Sequence, residues 1–477
     1  MLRQGATQER HEVRSDTVGA AVRSLRRSFA GSVLVPGDDG YDEARRPLHP
    51  IFDPRPVAVA EAADAADVRS AIVTARDHDL PVAVQATGHG TIVPSDGGVL
   101  IKTSRLTGVL VDPDKRVARA GPGARWRDVI AAAAPFGLAP LSGTASSVGV
   151  AGYTLGGGVG WLSRRYGFAA DSLLRAEVVT ADGRVLTASA DRHAELFWAL
   201  RGGGGNFGVV TSLEFRLYPV AQVYAGTAYF PISRAAETLA LFRDLAADAP
   251  DALSTVVLLR RMPATRDVPE PVRGRRVLAI RGLYAGDTAA GATGDAAAAE
   301  RALRPLRDVA GPPLLDDFRT MSYPETGTIG GTAPLHLDLF RRLPDALLET
   351  LIGAIDAPAG DSPVSTVEIR HWAGAMAHPE HQDPGPTGHR DVPFSVIIDA
   401  RVPALAAALR PHATGGSFLN FLSDPARTAS AYTARNHRRL TELKRRYDPA
   451  NVFHRGHNIP PSPQVRHDAT APDHPAA

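Results

Sequence analysis

Seven glycines lie between Gly143 and Gly160 in LSGTASSVGVAGYTLGGGVG, and Gly202 to Gly205 follow in LRGGGGNFGVV, so two backbone-bare loops fall within one stretch of chain. Without Cβ atoms, peptide N–H groups can come against a ligand, and concavities of such amides suit a diphosphate. A flexible linker is the plainer account. Val, Leu, Phe and Trp interleave with these glycines, however, and a linker has no use for them. The backbone is therefore expected to close on something flat or charged.

Composition narrows the rest. The 477 residues suffice for two or three domains with real cores, and 44% hydrophobic with 22% charged residues reads as globular and soluble. A formal charge of +2 without a basic stripe argues against a nucleic-acid partner. The lack of any cysteine excludes disulfides, thiolate metal sites, Cys nucleophiles and a cysteinyl cofactor bond. Three lysines occur, Lys102, Lys115 and Lys444, and none follows a glycine loop, which excludes a Walker-type nucleotide site. No apolar run approaches the roughly 20 residues of a membrane span. Ser24-Leu-Arg-Arg-Ser-Phe29 faintly suggests a twin-arginine signal, but only a short apolar stretch precedes Asp38 and Asp39, so a cytoplasmic location is expected. His378 and His381 stand among Pro, Gln, Asp and Gly without helical register and read as a solvated turn, so no metal site is expected.

Periodicity places the motifs. Asp64 to Asp77 has helical spacing and feeds a strand, Pro81 to Val84, that ends at Gly88-His89-Gly90. Val99 to Lys102, Val109 to Val111 and Val117 to Ala120 read as strands, and Trp126 to Ala134 as a helix. Two strands from Glu177 onward are joined by Asp182-Gly183, residues that a tight primed turn prefers. Phe197 to Leu200 belongs to a short helix, and Val209 to Leu217 alternates as a strand that stops at Pro219. Beyond it, Ala/Leu-rich helices (Arg234–Ala247, Asp295–Asp308, Pro344–Ile355) alternate with strands (Ser254–Arg260, Val277–Leu283, Val364–His371, Phe394–Ala400), an α+β pattern. A basic helix, Tyr432 to Arg446, halts at Tyr447-Asp448-Pro449.

Gly203-Gly-Gly-Asn-Phe-Gly208 formally matches G-x-G-x-x-G, yet it sits after a helix and before a strand, the reverse of the Rossmann order. Only the weaker statement survives, that its amides face a ligand. Five segments in this order and spacing form a specific set: Val82-Ala-Val-Gln-Ala-Thr-Gly-His-Gly90, Gly143-Thr-Ala-Ser-Ser-Val-Gly-Val-Ala-Gly152, Leu155-Gly-Gly-Gly158, Arg201-Gly-Gly-Gly-Gly-Asn-Phe-Gly208 and Lys444-Arg-Arg-Tyr-Asp-Pro-Ala-Asn-Val-Phe453. The chain resembles the berberine bridge enzyme-like flavin-linked oxidases of the vanillyl-alcohol oxidase superfamily, over most of 40–220 and 430–460.

The resemblance implies a two-lobed PCMH-type FAD-binding domain over 19–219, completed by 431–460, with an inserted α+β substrate domain over 220–430, an antiparallel sheet covered by helices. Residues 1–18 and 461–477 are then a flexible N-terminus and a disordered tail. It implies FAD carried on His89 through the C8-methyl. The strand-end loop would line it with Gln85, Ala86, Thr87, Gly88 and Gly90, the glycine loops with Gly143, Thr144, Val148, Gly149, Gly152, Tyr153, Gly156, Gly157 and Gly158, and Gly208, Val209 and Asn458 would complete the cradle.

Two departures matter. Ala145 stands where bicovalent relatives carry a second, cysteinyl flavin link, so at most one protein bond holds the flavin. Phe418-Leu-Asn-Phe421 stands where many relatives have Tyr-x-Asn-Tyr, and a phenyl ring cannot take a proton. Removing hydrogen from a carbon bearing OH or NH still needs an acceptor within reach. On Val367-Glu-Ile-Arg-His-Trp372 a two-residue period sets Glu368, Arg370 and Trp372 on one face and His371 on the other. Asp399, Asn420 and Tyr432, taken as opening the final helix, complete the catalytic candidates with Glu368, Arg370 and His371. The expected activity is an FAD-linked oxidase that takes hydride from a small hydroxylated or heteroaromatic metabolite onto flavin N5, passes electrons to O2 and tailors a secondary metabolite. A sugar oxidase, an FAD-dependent dehydrogenase, a flavin-binding protein without turnover and a flavin-free binding module are the alternatives.

Overall fold

Alternation of apolar residues sorts the chain into three sheets. The computed structural model describes residues 16–49, 51–286, 296–356, 362–380 and 383–463. Strands β1 (Ser32–Leu34), β2 (Ala58–Glu61), β3 (Val82–Gln85) and β4 (Val99–Lys102) form a sheet of order β1-β2-β4-β3, with β4 parallel to β2 and β3 and β1 antiparallel to β2. The crossover helix Ala65–Asp77 is capped by Asp64, which accepts from the Asp67 amide at 2.9 Å, and buries Val68, Ala71, Ile72 and Ala75 on the sheet. That i, i+3, i+4, i+7 stripe is what a one-sided helix requires. Parallel strands present ligands with their carboxyl ends, and β3 delivers residues 86–90 there.

Residues 16–28 are helical, so order begins before the expected limit at 18. Leu25 is fully buried in this lobe's core, Phe29 packs against it, and Arg26 pairs with Asp38 at 2.6 Å. Residues 1–15 and 464–477 lie outside the described residues, as does His381. Among the described residues no helix is long and apolar enough to cross a membrane.

Strands β5 (Val109–Asp112), β6 (Val117–Ala120), β7 (Leu173–Val179), β8 (Val185–Ser189) and β9 (Val209–Arg216) form an antiparallel sheet of order β5-β6-β9-β7-β8. The β7–β8 turn is not primed. Gly183 has φ +82° but neither Ala181 nor Asp182 has positive φ, and a primed turn needs it at a central residue. The Asp182 carboxylate instead closes the loop, accepting from Thr180 Oγ1 at 2.6 Å and the Arg184 amide at 3.2 Å.

The third sheet is antiparallel, of order β13-β10-β12-β11-β16-β17-β15 with β14 also on β10. Its strands are β10 (Gln222–Pro231), β11 (Leu253–Arg261), β12 (Arg276–Tyr284), β13 (Leu315–Asp316), β14 (Arg319–Ser322), β15 (His336–Phe340), β16 (Thr366–His371) and β17 (Phe394–Ile398). Helices Ala235–Leu245, Ala296–Ala310 and Asp345–Asp356 cover one face and share a core with Val257, Ile280, Val367 and Ile369. Because successive side chains alternate, Val256, Leu258 and Ala279 point the other way, into the core that holds Trp161 and Leu162. Glu368 and Arg370 fall on that inner face, in register with Leu258 and Val256.

Just past β16, Ala373 is held at φ +65°, ψ −152°, a region that glycine alone populates readily. Ala373→Gly is expected to stabilise the protein by about 1 kcal/mol, net of the added freedom of the unfolded chain. A urea midpoint no higher than the parent's would show that the backbone is relaxed there.

Candidate active site

The strand-end loop and the first glycine loop meet. Gly88, at φ +72°, offers its carbonyl to the Leu48 amide at 3.2 Å, and a Cβ there would come within 2.9 Å of that nitrogen. His89 follows, half-buried, edge-on to His49 at 5.1 Å, with Nδ1 buried and unpartnered. Burial first, then the charges of His49 and Arg125, hold its imidazole below the usual histidine range, so it is neutral. A Cβ on Gly149 would lie 2.8 Å from the Thr87 side chain, so only glycine lets these two loops touch.

The triple glycine is pinned from the third sheet's side. Asn420 Oδ1 accepts from the Gly158 amide at 2.8 Å, while its Nδ2 donates to the carbonyls of Tyr153 at 3.1 Å and Gly152 at 3.4 Å. Phe418 packs against Gly157, stacks on Phe168 at 5.4 Å and meets Trp372 edge-on at 5.2 Å. Thr387 touches both Gly157 and Gly202 and thereby links the two glycine runs.

The run at 203–208 mainly seats other chain segments. Asn206 Nδ2 donates to the carbonyls of Gly203 and His457 at 2.8 Å each, and its Oδ1 accepts from the Ile459 amide at 2.9 Å. Gly208 lies against Val178 and Val179, and Val209 is buried in the first lobe's core. Lys444, fully buried, donates to Asp448 at 2.6 Å, Asn206 O at 2.8 Å and Phe453 O at 3.0 Å, tying the final helix Ala434–Tyr447 to the glycine run.

Other expected lining residues take supporting places. Gln85 Nε2 donates to Arg46 O at 3.2 Å and packs under Gly88. Thr144 touches Gly331, and Tyr153 is a buried ring between Gly143 and Gly158, edge-on to Trp126. A flat cofactor fits what remains. Among the described residues His89 Nδ1 and Asn458 Oδ1 are buried polar atoms without a hydrogen-bond partner, and a Cβ on Gly90 or Gly152 would meet nothing within 4 Å.

The six catalytic candidates separate. Arg370 donates to Glu368 Oε1 from Nε at 3.1 Å and Nη2 at 2.7 Å, and it lies over the Trp161 ring beside Gly160. Among the described residues Glu368 Oε2 has no hydrogen-bond partner, and the Thr332 hydroxyl favours the charged form of the carboxyl. Burial pushes the Glu368 carboxyl up, and Arg370, Thr332 and Arg281 together outweigh that, leaving it below the usual carboxylate range.

The other four make contacts elsewhere. His371 is on the opposite face, against Phe242 and Phe394, its Nε2 3.0 Å from Arg164 Nη1. Asp399 caps a strand end, accepting from the amides of Ser365 at 3.0 Å and Thr366 at 2.9 Å. Asn420 holds the glycine loop as described. Tyr432 lies outside the final helix, whose N-cap is Thr433, and its buried hydroxyl donates to Gly202 O at 3.1 Å. Thr387 and Arg281 carry no sequence signal, whereas Asn206 stood inside the quoted glycine motif. No group of three or more His, Cys, Asp or Glu that could hold a metal occurs among the described residues.

Residues 56–189 match the family model described as FAD binding domain, and 417–460 the one described as berberine and berberine like. The chain is 29% identical to (R)-6-hydroxynicotine oxidase of Paenarthrobacter nicotinovorans over 91% of its own length and 97% of that protein. It is 30% identical to FAD-linked oxidoreductase OXR1 of Pyricularia oryzae, over 83% of this chain and 82% of that one. The crystal structure of 6-hydroxy-D-nicotine oxidase from Arthrobacter nicotinovorans superposes with a TM-score of 0.76 at 27% identity, covering 91% of this chain and 99% of that one. Xylooligosaccharide oxidase from Myceliophthora thermophila shares the fold, with a TM-score of 0.78 at 21% identity over 93% of this chain and all of that one (100%).

Proposed function

We propose that this chain, which belongs to the berberine bridge enzyme-like family of FAD-linked oxidoreductases, oxidises a small hydroxylated or heteroaromatic metabolite at a carbon bearing OH or NH. The observation that carries the reading is Glu368: a buried carboxylate with one oxygen held by Arg370 and the other free, on the sheet face that packs toward the glycine loops. Likeness to an enzyme named for a hydroxylated nicotine supports this substrate class over sugars. Bound FAD supplies hydride acceptance at N5 and onward transfer of two electrons to O2, which leaves as hydrogen peroxide.

His89, the amides of 87–90 and 143–158, and Asn458 hold the cofactor in this reading, with residues 19–219 and 431–460 as its domain and 220–430 as the substrate's. Neutral His89 is the single covalent anchor, since Ala145 offers no thiol and the chain has no cysteine. Glu368 Oε2 takes the proton from the substrate's OH or NH, and Arg370 fixes the carboxylate's orientation. The Phe418, Phe168 and Trp372 rings exclude water beside Gly157.

Acid precipitation of the purified protein is expected to leave the yellow colour on the polypeptide, and His89→Ala to release it to the supernatant. Colour lost from the parent as well would retire the covalent bond. Anaerobic bleaching by 6-hydroxynicotine or a related hydroxylated heteroaromatic donor tests the reaction; purified protein without flavin absorbance would end the whole reading.

A further inference from the structure

On the opposite face of the third sheet from Glu368 lies a cavity of about 480 Å³, between the end of helix Ala235–Leu245 and the start of helix Asp345–Asp356. That volume is in the range of small-molecule sites, about 300–1,000 Å³. Its walls include Ala247, Leu343 and Phe394, and Arg243, Arg341 and Arg342 also line it. Asp244 and Asp345 engage Arg243, and Asp391 engages Arg341; exposed Arg342 has no ion pair among the described residues.

His371 also lines this cavity and is only 4% exposed. A guanidinium nitrogen only donates, so its Nε2, 3.0 Å from Arg164 Nη1, must accept, which puts the imidazole proton on Nδ1. That N–H has no hydrogen bond among the described residues. Burial and Arg164 push the ring down to about 3, so it stays neutral and keeps this tautomer. The Nδ1–H opens onto the cavity, where a ligand oxygen would take the place of solvent as its acceptor.

We propose that the cavity binds a small organic anion with an apolar body, an aryl or alkyl carboxylate. An oxygen of the carboxylate accepts a hydrogen bond from His371 Nδ1–H, Arg342 supplies the unpaired positive charge at the rim, and the hydrocarbon part lies on Leu343 and Phe394. Neither Glu368 nor Arg370 lines this cavity, so the proposal stands whether or not the proposed reaction is right.

The probe is 1-naphthoate, titrated calorimetrically at low salt into the full-length flavin-loaded protein. Saturable binding is expected, about tenfold tighter than that of neutral 1-naphthylmethanol. Arg342→Ala is expected to weaken it severalfold, and Ala247→Trp, which fills the cavity, to remove it, with flavin content and absorbance unchanged in both. No saturable heat at millimolar naphthoate overturns the proposal. Equal affinity of acid and alcohol, or affinity unaltered by Arg342→Ala, does so too, and that exposed change keeps the test valid should Ala247→Trp misfold. Binding that survives Ala247→Trp and shifts the flavin spectrum would place the probe over the cofactor instead.

Discussion

Glu368→Gln is expected to slow anaerobic flavin reduction by about 10²- to 10⁴-fold while the protein stays yellow. The amide keeps an oxygen for Arg370 but cannot take a proton at the other position. In the parent, burial opposes ionisation of Glu368, and Arg370, the Thr332 hydroxyl and Arg281 together more than reverse it, so the base is charged throughout the neutral range. The acid limb of kcat/KM therefore falls below the ordinary carboxylate range, and the variant should lack it. Stability follows the same sign. The depressed folded value makes this contribution complete above the unfolded pKa, about 4.3, and it is lost as pH falls through the lower folded value. A variant that reduces flavin at the parent's rate would move the base elsewhere.

Lys444→Met should cost about 3–5 kcal/mol, because it strands a fully buried Asp448 carboxylate without its cation. Asp448 also accepts from the amides of Val452 at 2.7 Å and Phe453 at 2.9 Å, so the damage would reach the segment that Asn206 ties to the glycine run. Chemical denaturation and flavin retention measure it together. Adding Asp448→Asn should recover part of the loss, since the uncompensated charge is then gone. A single variant as stable as the parent would mean that water reaches Asp448.

Much of the scaffold was legible because it depends on neighbours in the chain. The stripe of Ala65–Asp77 and the alternation of β16 are local periods, and each appears in the fold where the residues place it. The β7–β8 turn was less so: Asp182-Gly183 suits a primed turn, but the Asp182 carboxylate's bonds to Thr180 and Arg184 select another closure. Tyr432 was assigned to a helix that Thr433 caps one residue later.

Sequence alone determined that glycine loops would be close-contact surfaces, that no thiol could hold a cofactor, that Phe418 could not be a base, and that Glu368 and His371 would face opposite ways. Only the tertiary structure decided which polar candidate had an atom to spare. Asp399 spends its oxygens on Ser365 and Thr366, Asn420 is bound to the glycine loop, and Tyr432 donates to Gly202, whereas Glu368 keeps one oxygen free. The physical reason is range. Periodicity is set by adjacent residues, but whether a polar group is satisfied depends on partners as far away as the 262 positions between Gly158 and Asn420, which packing alone brings together.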